Sequence, residues 1–194
     1  MWWARLLNVI SGLLSGAGAP ASTNSWESIA TLSGNGSSGT LSFTSIPSTF
    51  KHLQLRGIIR EGSGGGTGDT FLGLQLNGDT ASNYALHYLI GDGGSASAAG
   101  GATQSRAYSG IGVQSGAGAN ICGALIIDIL DYQNTNKYKT TKVLSGDDRN
   151  GSGAIALISG LWQSTSAVNR VDVYSKDSQS LSTLSTVALY GIKG

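Results

Sequence analysis

KHLQLRGIIR, residues 51–60, sets Leu53 and Leu55 against Gln54 and Arg56. A repeat of two puts alternate side chains on opposite faces, so the stretch reads as a half-buried strand with one wet face. TFLGLQLNGD (70–79) does the same with Leu72, Leu74 and Leu76, and closes in Asn77-Gly78, a strong turn signal. SWESIATLS (25–33) and GTLSFTS (39–45) alternate similarly, the first through Trp26, Ser28, Ala30 and Leu32. NICGALIIDIL (120–130) has too few polar positions for a solvent-facing strand and is expected at the centre of a sheet.

Further candidates are 104–114, NKYKTTKVLSG (136–146), GAIALISGLW (153–162), NRVDVYS (169–175) and STVALYGIKG (185–194). SNYALHYLIGDGG (82–94) reads as a short helical turn or an irregular crossover. This gives roughly ten strands separated by polar turns, which predicts an all-β antiparallel sandwich of jelly-roll type over residues 25–194. The Gly-rich stretches 62–68, 91–101, 115–118 and 151–153 are expected between strands. They read first as loose solvent loops and second as contact surfaces shaped by neighbouring subunits.

Composition agrees with this class. The chain has 194 residues, 30 glycines, two prolines and only 12% charged residues. Twelve basic residues against eleven acidic ones leave no electrostatic footprint for nucleic acid. A weakly charged surface repels partners little, which suits an assembled protein. The single cysteine, Cys122, excludes an internal disulfide and is read as a buried, inert thiol.

Residues 1–24 look different. In MWWARLLNVISGLLSG (1–16), Trp2, Trp3, Leu6, Leu7, Ile10, Leu13 and Leu14 share one side of a helical wheel, opposite Arg5, Asn8, Ser11, Gly12 and Ser15. A spanning helix needs about 20 apolar residues, so no membrane span is expected. A secretory leader is disfavoured by the interruptions at Arg5 and Asn8, and by Pro20 directly after Ala17-Gly18-Ala19. SGAGAPASTNS (15–25) reads as a flexible tether. The preferred reading is a short amphipathic anchor helix on that tether, docking through its seven apolar residues into another polypeptide chain.

The chemistry of catalysis is sparse. His52 and His87 are the only histidines, Glu27 and Glu61 the only glutamates, and no G-x-S-x-G elbow occurs. No enzymatic role, metal or cofactor is expected. GNGSSG (34–39) matches a dinucleotide fingerprint literally but links two strands, so it reads as a hairpin loop. SGDDRNGSG (145–153) brings together Asp147, Asp148 and Asn150, but Arg149 stands at a ligand position and no glutamate closes the site. A polar turn is preferred there over a calcium loop. Trp26 and Trp162 read as core. Tyr84, Tyr88 and Tyr108 read equally as a sugar-stacking platform, as interface or as core.

Two stretches, SIPSTFKHLQLRGIIR (45–60) and LQLNGDTASNYALHYLIGDG (74–93), together with the terminal ALYGIKG (188–194), resemble small structural proteins of tailed bacteriophages. The resemblance implies a non-enzymatic β-sandwich on the virion surface, as a capsid decoration protein or a tail or fibre component. The partners expected are copies of itself, as a trimer, and other virion proteins. The alternative is a secreted carbohydrate-binding, lectin-like module, such as a receptor-binding fibre head that takes host surface glycans.

Overall fold

The structure, a computed structural model, describes residues 25–194. The anchor helix expected over residues 2–14 and its tether lie outside the described residues. Among those described there are twelve strands and no helix. The strands are β1 (Trp26–Ser33), β2 (Thr40–Phe43), β3 (His52–Ile59), β4 (Asp69–Leu76), β5 (Tyr84–Gly91) and β6 (Ala96–Gln104), followed by β7 (Ala107–Val113), β8 (Gly123–Leu130), β9 (Lys139–Asp148), β10 (Gly153–Trp162), β11 (Val171–Ser175) and β12 (Thr186–Ile192).

They form two antiparallel sheets. The larger runs β1-β12-β3-β8-β9-β10-β5-β6, and the smaller runs β2-β11-β4-β7. The pairing is nested: β1 with β12, β2 with β11, β3 with β8 and β4 with β7. Two hairpins, β5–β6 and β9–β10, stand outside this nest and prolong the large sheet beyond β8.

The period-two pattern explains the core. Leu189, Leu55, Ile127, Val143, Ile158 and Tyr88 sit opposite one another across six strands, forming a continuous inner row of the large sheet. They face Leu41 and Phe43 of β2, Leu72, Leu74 and Leu76 of β4, Ile111 of β7, and Val171 and Val173 of β11 in one buried cluster. Of the polar residues of β9 that fall inside this layer, Thr141 Oγ1 finds no partner among the described residues while Lys139 does. Lys139, fully buried, donates its ammonium to the carbonyls of Asn134 at 2.6 Å, Lys137 at 3.2 Å and Thr165 at 3.2 Å.

Several expectations are corrected. Residues 84–91 are no helical turn but strand β5: Tyr84, Leu86, Tyr88 and Ile90 face inward while Ala85, His87 and Leu89 face out. The Gly-rich stretch 91–101 is in large part strand β6, because its backbone N–H and C=O groups pair with the edge that β5 offers despite the weak strand preference of its side chains. GNGSSG is no hairpin, since β1 and β2 belong to different sheets and the loop carries the chain across. Asn77-Gly78 does turn, with φ of 55° and 66°, and it too passes the chain between sheets. Trp26 is not core: it is 42% exposed on the outer face, under the Arg56 guanidinium at 5.2 Å. Trp162 is core, its indole N–H donating to Asp79 at 2.6 Å. β8 does lie at the middle of the large sheet, but its outer residues are uncovered and not sandwiched.

Nor are all the glycine loops loose. Residues 62–68 and 115–118 are stitched together by Gly116 N–H to Gly66 O at 2.8 Å and Gly65 N–H to Ser115 Oγ at 2.8 Å. A Cβ at Gly116 would sit 2.3 Å from Gly65 O, so only glycine allows this approach.

After β8 the chain turns at Asp131, which takes a left-handed φ of 48°. The ammonium of Lys137 and that of Lys51, 3.0 Å away, hold its carboxyl down to about 2 from an ordinary 3.8. A depressed carboxyl stabilises the fold above its unfolded value and loses that contribution as pH falls through its folded value. Asp131→Asn should therefore flatten the melting temperature against pH between about 4 and 2, compared with the parent chain. Unchanged acid limbs would show that these ion pairs add nothing.

Candidate functional site

The side of the large sheet that faces away from the small one is unusually apolar. Ile126, Leu144, Leu157, Leu89 and Ala98 are cross-strand neighbours in register over β8, β9, β10, β5 and β6. Ile155 and Ile58 lie one row to one side, and Leu130 lies two rows to the other. Leu89 is 51%, Leu144 47%, Leu157 47% and Ile155 60% exposed. Each alternates with buried residues of its own strand, Leu144 with Val143 on β9, Ile155 and Leu157 with Ala156 and Ile158 on β10, and Leu89 follows Leu86 on β5, so their exposure reflects the face and not a frayed element.

A trough of about 760 Å³ runs over Leu89, Ala98, Leu130, Thr140, Lys142 and Leu157. One polar row crosses it, Asp128, Lys142, Ser159, His87 and Gly100, again in register. The His87 ring lies over Gly100, where a Cβ would meet its Cδ2 at 2.3 Å. Beyond β8 the surface changes character. Gln54 Nε2 donates to Asp128 Oδ1 at 2.6 Å, Arg56 donates to Gln54 Oε1, and Arg56 covers Trp26, forming a hydrogen-bonded polar ridge over β3.

The other residues singled out in the sequence do not converge here. His52 is on β3, its Nδ1 accepting the Asp131 N–H at 2.9 Å. Glu61 is buried on the far side, accepting the Ser175 hydroxyl at 2.6 Å; burial pushes its carboxyl up despite that bond. Cys122 is half-buried, and desolvation raises its thiol while the Arg60 charge pulls it back, so it is poorly nucleophilic.

In the 145–153 turn, Arg149 takes the place a cation would hold. Its guanidinium pairs with buried Asp147 and with Asp69 at 3.3 Å. The Asp148 carboxylate accepts the Asn150 N–H at 2.7 Å, a local turn bond. Burial pushes the Asp147 carboxyl up, and Arg149 opposes this.

Tyr84 is fully buried, stacked on Trp162 with centroids 6.3 Å apart, and so cannot serve a sugar platform. Tyr88 and Tyr108 join Phe71 in a half-buried ring cluster, with Phe71 at 4.9 Å and 4.5 Å from them.

Leu89, Leu144 and Leu157 were not singled out by sequence reasoning, although a signal exists. Val143-Leu144 and Ile155-Ala156-Leu157-Ile158 place apolar residues on both faces of one strand. Such a run predicts two covered faces, and the structure supplies a cover for only one.

No family model matches the chain, and no curated protein or solved structure matches it either.

Proposed function

We propose that this chain is a non-enzymatic structural protein of a bacteriophage virion. It is a trimeric β-sandwich of jelly-roll type, borne on the particle surface as a capsid decoration or a tail or fibre component. Residues 2–14 attach it to other polypeptide chains. The observation that carries the reading is the uncovered apolar face, since contiguous exposed apolar patches mark interaction surfaces.

The jelly-roll assignment is supported by the nested strand pairing. With the two extra hairpins set aside, the first strand pairs with the last and each next strand with the last but one, ending at β4 and β7. A ribbon paired in that way and rolled up gives two Greek keys in two sheets. Double-sheet jelly rolls serve in viral capsid and lectin domains, so analogy of fold adds support without naming a chemistry. The bacteriophage assignment itself rests on the resemblance of residues 45–60, 74–93 and 188–194.

Mass spectrometry of purified particles tests the reading directly: the chain is expected among the virion proteins, and its absence would end the proposal. In the full chain, Trp3→Asp is expected to preserve the strand signature in circular dichroism while abolishing incorporation. A carbohydrate-binding head is the second reading, drawing on the same fold and on the polar row through Lys142, Ser159 and His87. Glycan-array binding of about micromolar strength, unaffected by Trp3→Asp, would favour it.

A further inference from the structure

We propose that the trough on the outer face of β8-β9-β10-β5-β6 receives residues 2–14 of a neighbouring copy, so that copies link head to tail. The inference rests on the oligomeric reading above and names the partner of the anchor as a second copy of this chain.

Size and chemistry agree. Five strands at about 4.8 Å spacing make the trough floor roughly 19 Å across. A helix of thirteen residues is about 20 Å long. As the helix expected from the sequence, the segment would offer Trp2, Trp3, Leu6, Leu7, Ile10, Leu13 and Leu14 on one side; the trough offers Leu89, Leu130 and Leu157, with Leu144 exposed on the same face. Ala98 on β6 keeps one wall of the trough low, while the His87 ring covers Gly100 beside it. Charge does not oppose the contact: Arg5, the one charged side chain among residues 2–14, is expected opposite the apolar side, and in the trough Lys142 stands beside Asp128.

The position of the chain's exit favours a neighbouring copy. The described chain begins at Ser25 and enters β1, the edge of the large sheet opposite β6. Its own trough centre, on β10, lies five strands away, about 24 Å, behind the polar ridge of Arg56, Gln54 and Asp128. Ten residues of flexible chain would span about 17 Å on average and about 33 Å when extended, so the nearer of two troughs is reached more readily. A neighbour whose β6 edge stands beside β1 presents its trough next to the exit point.

The β6 edge is suited to such a neighbour. It is nine residues long, exposed on both faces, and has no proline or charge to keep another chain away. A contact between two different surfaces of identical subunits closes into a ring when the rotation allows, and a trimer is one such ring.

The test uses the full chain carrying Cys122→Ser, Leu7→Cys and Leu157→Cys, oxidised mildly and run on a non-reducing gel. Covalent dimers and trimers that collapse on reduction are the expected result. A disulfide formed within single chains, or none at all, overturns the proposal. In parallel, Leu157→Asp should weaken self-association roughly thirtyfold or more by light scattering, with circular dichroism unchanged. Unaltered mass would also overturn it. If the chain is missing from particles but the covalent ladder forms, the virion reading fails and the exchange stands. If the chain is present on particles without a ladder, only the exchange fails.

Discussion

Replacing Arg60 by alanine should lower the thermal midpoint of this protein by about 6–12 °C. Arg60 is 7% exposed, and its guanidinium donates to four carbonyls of one loop: Ser115 at 2.7 Å, Ala117 at 2.8 Å, Gly118 at 2.9 Å and Ile121 at 2.8 Å. That loop is rich in glycine and has no ladder of its own, so these bonds set its shape. A hydrogen bond to a charged group contributes roughly 1.5–3 kcal/mol, and the outer carbonyls recover water when the donor leaves. A net loss of about 3 kcal/mol remains, which for a domain of this size corresponds to the shift stated. The partner loop at 62–68 should loosen with it, because Gly65 and Gly66 bond to Ser115 and Gly116. Hydrogen exchange at both loops, read beside the melting curve, checks the mechanism. A variant that melts within 2 °C of the parent by calorimetry would show that the clamp is ornamental.

The second large effect separates the two faces of one sheet. Ile127→Ala removes a fully buried side chain at the middle of the inner row, between Leu55 and Val143. The expected cost is about 2–5 kcal/mol, from lost burial and from the cavity left behind. Leu157→Ala on the outer face should cost less than about 0.5 kcal/mol in the isolated subunit, where the side chain already meets water. Its effect belongs to assembly, where the same leucine is covered. Urea unfolding at low concentration gives the first comparison and light scattering across concentrations gives the second. Equal destabilisation by the two variants would mean that the outer face is covered within the subunit, contrary to the exposure of Leu157.

Much of the strand pattern was legible because a strand's period is local. Leu53 and Leu55, or Leu72, Leu74 and Leu76, need no distant partner to declare their face. Asn77-Gly78 likewise declared a turn from two residues whose backbone tolerates positive φ. Where reading failed, the deciding partner was remote. Ala96–Gln104 has no propensity of its own and became a strand because β5 left an open edge. Tyr84–Gly91 mixes large and polar residues, and its alternation emerged only once β10 fixed its register. GNGSSG had the composition of a hairpin, but its two strands went to opposite sheets.

The candidate face divides in the same way. That β9 and β10 carry apolar residues at both parities is written in the sequence. Which parity would remain uncovered is not, because it depends on which face of the large sheet packs against the small one. Local patterning thus determined an all-β chain, its turns and most of its inward-facing residues, since those follow from side-chain period and backbone sterics. The order of the strands, the clamp of Arg60 on a loop more than fifty positions away, and the exposed row from Ile126 to Leu89 were decided by tertiary structure alone. Each depends on which backbone edges meet, and that is set by the packing of the whole core and not by any short segment.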